Sequence, residues 1–582
     1  MNWNLKIIYE NENLLEEDIK KFDLLIKDLS LLKGTLGTKD GFMKYTKLYS
    51  EAMCLLSKIF VYASMKNDLN QKDMESGRLR SRIYGKYSKF LESVSFIEPE
   101  LLSVGEEKVL EFCLDCPSYK HLMEDLFRRN KHILKENEEV LMAYYSDATN
   151  GYRELYSKLT IVDNTSVCVT LASGEKIDVN KANMTYYLSI LEDPSDRTNV
   201  FNAIYKFYND HKATLAGIYQ GIVKSEYANM KARGYKSMVE AKLDYENIPV
   251  SVYESLMKTT RENTAPLKRY YSIRKKYFKL DKIRTYDRFL QFRKSNMEYS
   301  YPKVKEMVLD AMNFMGSEYK SVAELCLSSG RVDVSIKDGK RNGAYSNSTY
   351  HEGAFILLNH NGDLSSAFTV AHECGHSIHS TYTNRNQEYI NSEYSIFVAE
   401  VASTFNEHMF LDYLMNKVED KNEKIVLLQQ AIDNICATYY RQTLFASFEY
   451  EAHKLIEEGH PIDDRALSDI MKSLYKDYYD IDLDEEEYKS LVWAYIPHFF
   501  NSPFYVYQYA TSFSASMKLY DDIKNKKEGA FDRYINLLKS GASNYPVLLL
   551  KEAGCDLTKE DAFMAVVKRL DSLLDMLEDL LK

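Results

Sequence analysis

The sequence predicts a mainly α-helical protein with a small β-sheet, and three observations carry that prediction. Only 10 prolines and 22 glycines interrupt 582 residues, a balance that favours helices over a loop-rich β protein. Apolar residues recur at three- and four-residue steps, as over residues 43–65 and 84–96, the spacing of one helix face. Strand signals are confined to two short regions.

Taken in order, residues 14–155 read as helical, with interruptions at Pro99 and Pro117. A short hairpin follows, with strands at 165–171 and 176–179 about a Ser173-Gly174 turn. Helical patterns resume over 205–232, 253–278 and 301–317. In the second β region, strands at 331–334 and 354–359 flank a loop (338–353) rich in Gly, Asn and Ser. Asn361-Gly362 then turns the chain, and Asp363 caps a new helix. From Glu407 onward the pattern is helical, broken at Pro461, Pro497, Pro503 and Pro546. The expected organisation is an N-terminal helical lobe with the hairpin, residues 1–180, followed by a catalytic region, residues 181–582.

A net charge of -11 argues against general nucleic-acid binding. No run of about 18 apolar residues is present, so no membrane span is expected and a cytoplasmic enzyme is. The eight cysteines are scattered. Cys113-Leu114-Asp115-Cys116 alone has metal or redox spacing, and without a second pair it reads as structural thiols.

The chemistry concentrates at His372-Glu373-Cys374-Gly375-His376. Two histidines four apart project from one helix face and can grip one metal ion, and Glu373 beside them suits a general base. With 12 histidines in the chain, the pattern arises by chance in roughly one such sequence in fifty. A catalytic zinc needs a third protein ligand and an open position. His379 lies about 10 Å along the helix from His372, too far to share one ion, and is expected to play a supporting part. Glu388 and Glu393 sit in polar loop sequence. Glu400 lies in the apolar run Ile396, Phe397, Val398, Val401, Phe405, Met409, Phe410, where Glu400, Ser403, Thr404 and Glu407 form one polar stripe. Buried carboxylates need a partner, so Glu400 is the favoured ligand and Glu407 the acceptor behind it.

The stretch His372–Ser380 together with Phe397-Val398-Ala399-Glu400-Val401-Ala402-Ser403-Thr404 resembles oligoendopeptidase F, of the thimet oligopeptidase-like metallopeptidases. Supporting blocks are Gly339-Lys340-Arg341-Asn342-Gly343-Ala344-Tyr345, His498-Phe499-Phe500 with Pro503-Phe504-Tyr505-Val506-Tyr507-Gln508-Tyr509-Ala510, and Ser540-Gly541-Ala542-Ser543-Asn544-Tyr545-Pro546. The similarity runs from about residue 195 to 580 and is architectural before that. It implies a neurolysin-like fold of two helical lobes around a deep substrate channel, one zinc ion held by His372, His376 and Glu400, and Glu373 as base. It implies cleavage of internal bonds in short unfolded peptides of roughly 5–20 residues; separately, because the metal helix is entered from a strand, an extended peptide is expected to pair with the 354–359 strand through backbone bonds. His498, Tyr505 and Tyr509 fall in the block expected to face substrate and steady the oxyanion, with Tyr507 in reserve. Arg341, Gly343 and Tyr345 are expected in a mobile substrate loop.

Two other readings stay open. Glutamate-ligand aminopeptidases usually place the glutamate where this chain has Ser395, and carry a Gly-x-Met-Glu-Asn strand absent here. A non-catalytic helical peptide-binding protein would have no use for Glu373.

Overall fold

The structure is a computed structural model and describes residues 2–486 and 488–582. Helices dominate, joined by a two-stranded and a three-stranded sheet. The chain forms two compact units, neither continuous in sequence. One comprises the chain up to Lys131 with Asn296–Asn416 and Leu519–Cys555, and the other His132–Ser295, Lys417–Lys518 and Asp556–Lys582. The sequence reading instead divides the chain once, at residue 180. A linear boundary cannot follow a chain that leaves each unit and returns to it.

The first unit opens with helices Glu12–Ser30, Lys39–Leu69 and Met74–Val94. Each has a side-chain cap, from Asn11, Thr38 and Asp73 respectively, which satisfies a backbone N–H left over in the first turn. Their apolar faces bury Phe22, Leu29, Leu56, Ile59 and Phe90, and the same core reaches Phe355 and Leu357 of the three-stranded sheet. The first hundred residues thus brace the sheet beside the metal helix.

The hairpin forms as expected, β1 (Val167–Thr170) antiparallel to β2 (Lys176–Val179). The other sheet contains β3 (Val332–Ser335), β4 (Tyr345–Thr349) and β5 (Gly353–His360) in the order β3-β5-β4. Two expectations are corrected here. The 338–353 segment is not all loop, because its Tyr-Ser-Asn-Ser-Thr run pairs antiparallel with β5. Ser and Asn have little strand preference of their own, and cross-strand pairing decides the outcome. With β3 parallel on its other side, β5 is central and has no edge to offer a peptide; β4 has. Lys340 is fully buried and paired with Asp333 at 2.7 Å, and it also donates to the carbonyls of Ser335 and Leu358. This ion pair fastens the turn before β4 to both other strands.

In the second unit, Asp193 caps a helix that starts at Pro194. The long helix expected over 205–232 is broken at His211, between Pro194–Asp210 and Lys212–Ala232. Arg197 and Asp287 form a buried pair at 3.0 Å. Among the described residues no helix is long and apolar enough to cross a membrane, and all eight cysteines are free thiols.

Candidate metal centre

The first unit contains both metal helices. The Leu364–Asn386 helix follows β5 directly, and the Asp363 carboxylate accepts the Ser366 N–H at 2.7 Å. The second helix, Ile396–Lys417, packs against it unusually closely. A methyl group at Gly375 would lie 2.5 Å from the Ala402 carbonyl oxygen and 2.6 Å from Ser403 Cα. Only glycine permits this approach, which brings Glu400 over the two histidines. Asn406 ties the pair further, donating to the Ala371 carbonyl and accepting from the Tyr319 hydroxyl.

Three ligand atoms converge as a result. His372 Nε2 lies 3.2 Å from His376 Nε2, and Glu400 Oε2 lies 3.3 Å from the first and 3.6 Å from the second. Tetrahedral bonds of 2.0–2.1 Å place two ligands about 3.3 Å apart, so the donor set fits one small cation without rearrangement. Among the described residues, His372, His376 and Glu400 are the group so placed. Glu388 instead accepts from Ser118 at 2.6 Å, and Glu393 is exposed.

The surroundings orient each ligand. Glu407 accepts from His372 Nδ1 at 2.5 Å, which turns Nε2 toward the centre, and Ser403 donates to Glu400 Oε2 at 2.8 Å. Burial alone lowers the His372 imidazole, but its bonds to Glu400 and Glu407 outweigh this and raise it well above its ordinary value. Burial and the His372 charge push His376 down to about 4. Burial would raise Glu400, yet the two histidines and Ser403 bring it to about 2. The site therefore favours a carboxylate and at least one neutral imidazole, the forms that ligate metal.

Glu373 points into the same neighbourhood. It is buried, which raises it to about 7, with Glu400 adding to the effect and a Ser346 backbone bond opposing it. Ser346 lies on β4, and its hydroxyl meets that of Ser377 on the metal helix at 2.8 Å. The edge strand is thereby stitched to the helix beside Glu373. Sequence reasoning missed Ser346, because nothing local marks it as a strand residue.

Other expected residues take different places. His379 is buried and stacks on Tyr394 at 3.8 Å, and its buried Nδ1 has no hydrogen-bond partner. Arg341 and Tyr345 are anchored, both to the buried Asp68 carboxylate, at 3.2 and 2.8 Å. Asn359 holds the carbonyls of Arg341 and Gly343. The expected mobile loop is pinned, and Asp68, 270 or so residues upstream, carried no sequence signal for that role.

In the second unit, His498, Tyr505 and Tyr509 form one partly exposed aromatic cluster. His498 lies parallel to Tyr505 at 6.0 Å and edge-on to Tyr509 at 6.1 Å, and the tyrosines are 5.5 Å apart. Tyr507 does not join them. It is 1 % exposed and packs on Tyr253 at 5.0 Å, because the helix starting there turns it inward, and it cannot face a peptide. Glu449, also missed, accepts the Phe504 N–H at 2.8 Å and steadies a left-handed residue (φ 56°) just before Tyr505.

Comparison with known proteins agrees with this geometry. The sequence profile of peptidase family M3 matches residues 188–568, and that of oligopeptidase F matches residues 100–165. The chain belongs to peptidase family M3. Oligopeptidase PepF of Bacillus subtilis is 34 % identical, covering 100 % of this chain and 87 % of the relative. Group B oligopeptidase PepB of Streptococcus agalactiae is 32 % identical over 99 % of this chain and 96 % of that protein. Oligoendopeptidase-F of Enterococcus faecium superposes with a TM-score of 0.73 at 27 % identity, covering 98 % of this chain and 99 % of that one. The resemblance thus extends through the N-terminal helices as well, beyond the limit near residue 195 drawn from sequence. As an M3 peptidase the protein is a metallopeptidase that hydrolyses peptide bonds.

Proposed function

We propose that this M3 peptidase is a zinc-dependent endopeptidase of short unfolded peptides, with Glu373 as its general base. The observation that carries the reading is the triangle of His372 Nε2, His376 Nε2 and Glu400 Oε2 with a buried glutamate next in sequence to the first ligand. Three protein ligands leave a position for water, whereas structural zinc sites normally use four. Bound zinc would supply Lewis acidity toward a water and a peptide carbonyl.

The chain's own groups supply the rest. Glu373 takes a proton from the attacking water and delivers it to the leaving amine. Ser346 holds that carboxylate from the edge strand, and Glu407 keeps His372 in the tautomer that ligates through Nε2. An extended peptide pairs with the open edge of β4, next to Glu373, through backbone bonds that need no particular side chain. Folded proteins present no free extended segment of this kind, so selection by unfoldedness follows. Oxyanion stabilisation is assigned to His498, Tyr505 or Tyr509; that assignment is supported by family resemblance and by their shared, partly exposed cluster.

The test is metal analysis combined with turnover. Purified protein should contain about one zinc per chain, lose activity on chelation and regain it with zinc. Products from an internally quenched peptide should arise by internal cleavage, while a stably folded protein stays intact. Release of single N-terminal residues as the main product would support an aminopeptidase instead.

A further inference from the structure

A second cluster of charge lies wholly within the second unit. A cavity of about 150 Å³ is lined by Arg288, Arg441, Asp433, Tyr271, Tyr475 and Tyr479, among others. Its floor is a π-helical turn, Cys436–Tyr440, inserted between helices Lys421–Ile435 and Arg441–Glu457; such turns often mark functional positions. Lys489, only 4 % exposed, stands beside it over the faces of Tyr205 and Tyr475, at 5.4 and 5.6 Å.

Among the described residues the charges do not balance. Arg274, buried nearby, donates to the Tyr270 hydroxyl and to two carbonyls. Among the described residues the acids within reach of these four cations are Asp433 and Glu486. Asp433 accepts from Tyr270 at 2.7 Å and Gln429 at 3.2 Å, and burial raises it. Glu486 is occupied by the Thr285 N–H and hydroxyl, at 2.8 and 2.7 Å. Even with Asp433 set against Arg274 and Glu486 against Lys489, Arg288 and Arg441 remain unmatched. Among the described residues Arg441 makes no side-chain hydrogen bond or ion pair, and Arg288 has one long hydrogen bond, 3.4 Å to the Thr285 carbonyl, and lies over the Phe289 ring at 4.2 Å.

Lysine can escape such a setting by losing its proton, and burial with Arg288 brings Lys489 down to about 7. Arginine cannot. Two guanidinium forks face one cavity whose one lining carboxylate among the described residues, Asp433, already accepts from Tyr270 and Gln429, so their donors are open to an outside anion. We propose that this cavity is a binding site for a small oxyanion held by Arg288 and Arg441, with the tyrosines as walls. Bidentate guanidinium geometry suits a carboxylate or a phosphate, and the volume leaves room for one with several waters. The source is either a free inorganic anion or the terminal carboxylate of a short peptide.

The test uses the full chain, wild type and the variants R288M and R441M, at low ionic strength. Melting temperature is followed while inorganic phosphate, acetate, N-acetyl-dialanine and N-acetyl-dialanine amide are added, with chloride matching ionic strength. Wild type should be stabilised saturably by at least one oxyanion over chloride, and each variant should bind it about tenfold or more weakly. Phosphate acting alone identifies an inorganic ligand, and the peptide acid acting where its amide does not identifies a peptide terminus. Because the variants remove unmatched charge, both should melt at or above wild type without added anion, so a folding defect would not mimic the expected result. Equal, unsaturable responses to all salts in all three proteins would overturn the proposal.

Discussion

Replacing Glu449 with glutamine should stabilise the protein more as pH rises. Glu449 is fully buried; one oxygen accepts the Phe504 N–H at 2.8 Å and the other has no partner. Burial, reinforced by Glu226, raises the carboxyl from 4.5 to about 8. The folded state therefore keeps a proton that the unfolded chain releases. Below pH 4.5 both states are protonated and there is no penalty. Stability is lost as pH climbs from there toward about 8, where the folded group ionises too. Linkage at about 1.4 kcal/mol per pH unit makes the loss near 3 kcal/mol at pH 7. Glutamine keeps an acceptor for Phe504 and has no proton to release. Urea unfolding of both proteins at pH 5 and pH 7.5 should show a stability difference, variant minus wild type, larger by about 2–3 kcal/mol at the higher pH. Parallel pH profiles would refute the reasoning, since they would mean Glu449 is ionised in the fold at pH 7.

Glu407→Ala should weaken zinc binding about 10- to 100-fold while leaving some activity at saturating zinc, because it removes the acceptor behind His372 and no ligand. Competition with a chelating dye measures this. Glu400→Ala should weaken metal binding far more than Glu388→Ala or Glu393→Ala, which leave the three converging atoms untouched; the same titration ranks them.

Much of the candidate metal centre could be read from sequence because its signals are local. The four-residue step from His372 to His376 and the Asp363 cap each sit within a few residues of one another. Glu400 was legible by chemistry, as an acid on an otherwise apolar helix. What escaped depends on distant pairing. The Ser- and Asn-rich β4 becomes a strand through β5, and strand order, which made β5 central, has no local mark at all. Asp68 reaches Arg341 and Tyr345 across some 270 residues. Tyr507 was misjudged for the opposite reason, since a Tyr-rich motif does not tell which ring the helix turns inward. The two units could not be drawn from sequence, because each is assembled from three separated segments.

The central claim is that Glu373 performs the chemistry at a metal held by other residues. Glu373→Gln tests it most directly, with zinc content and turnover of an internally quenched peptide measured on the same sample. The expected result is zinc near one per chain and turnover lower by at least about 10²–10⁴-fold, the range typical of general-base removal. Near-normal turnover by the zinc-loaded variant would contradict the account.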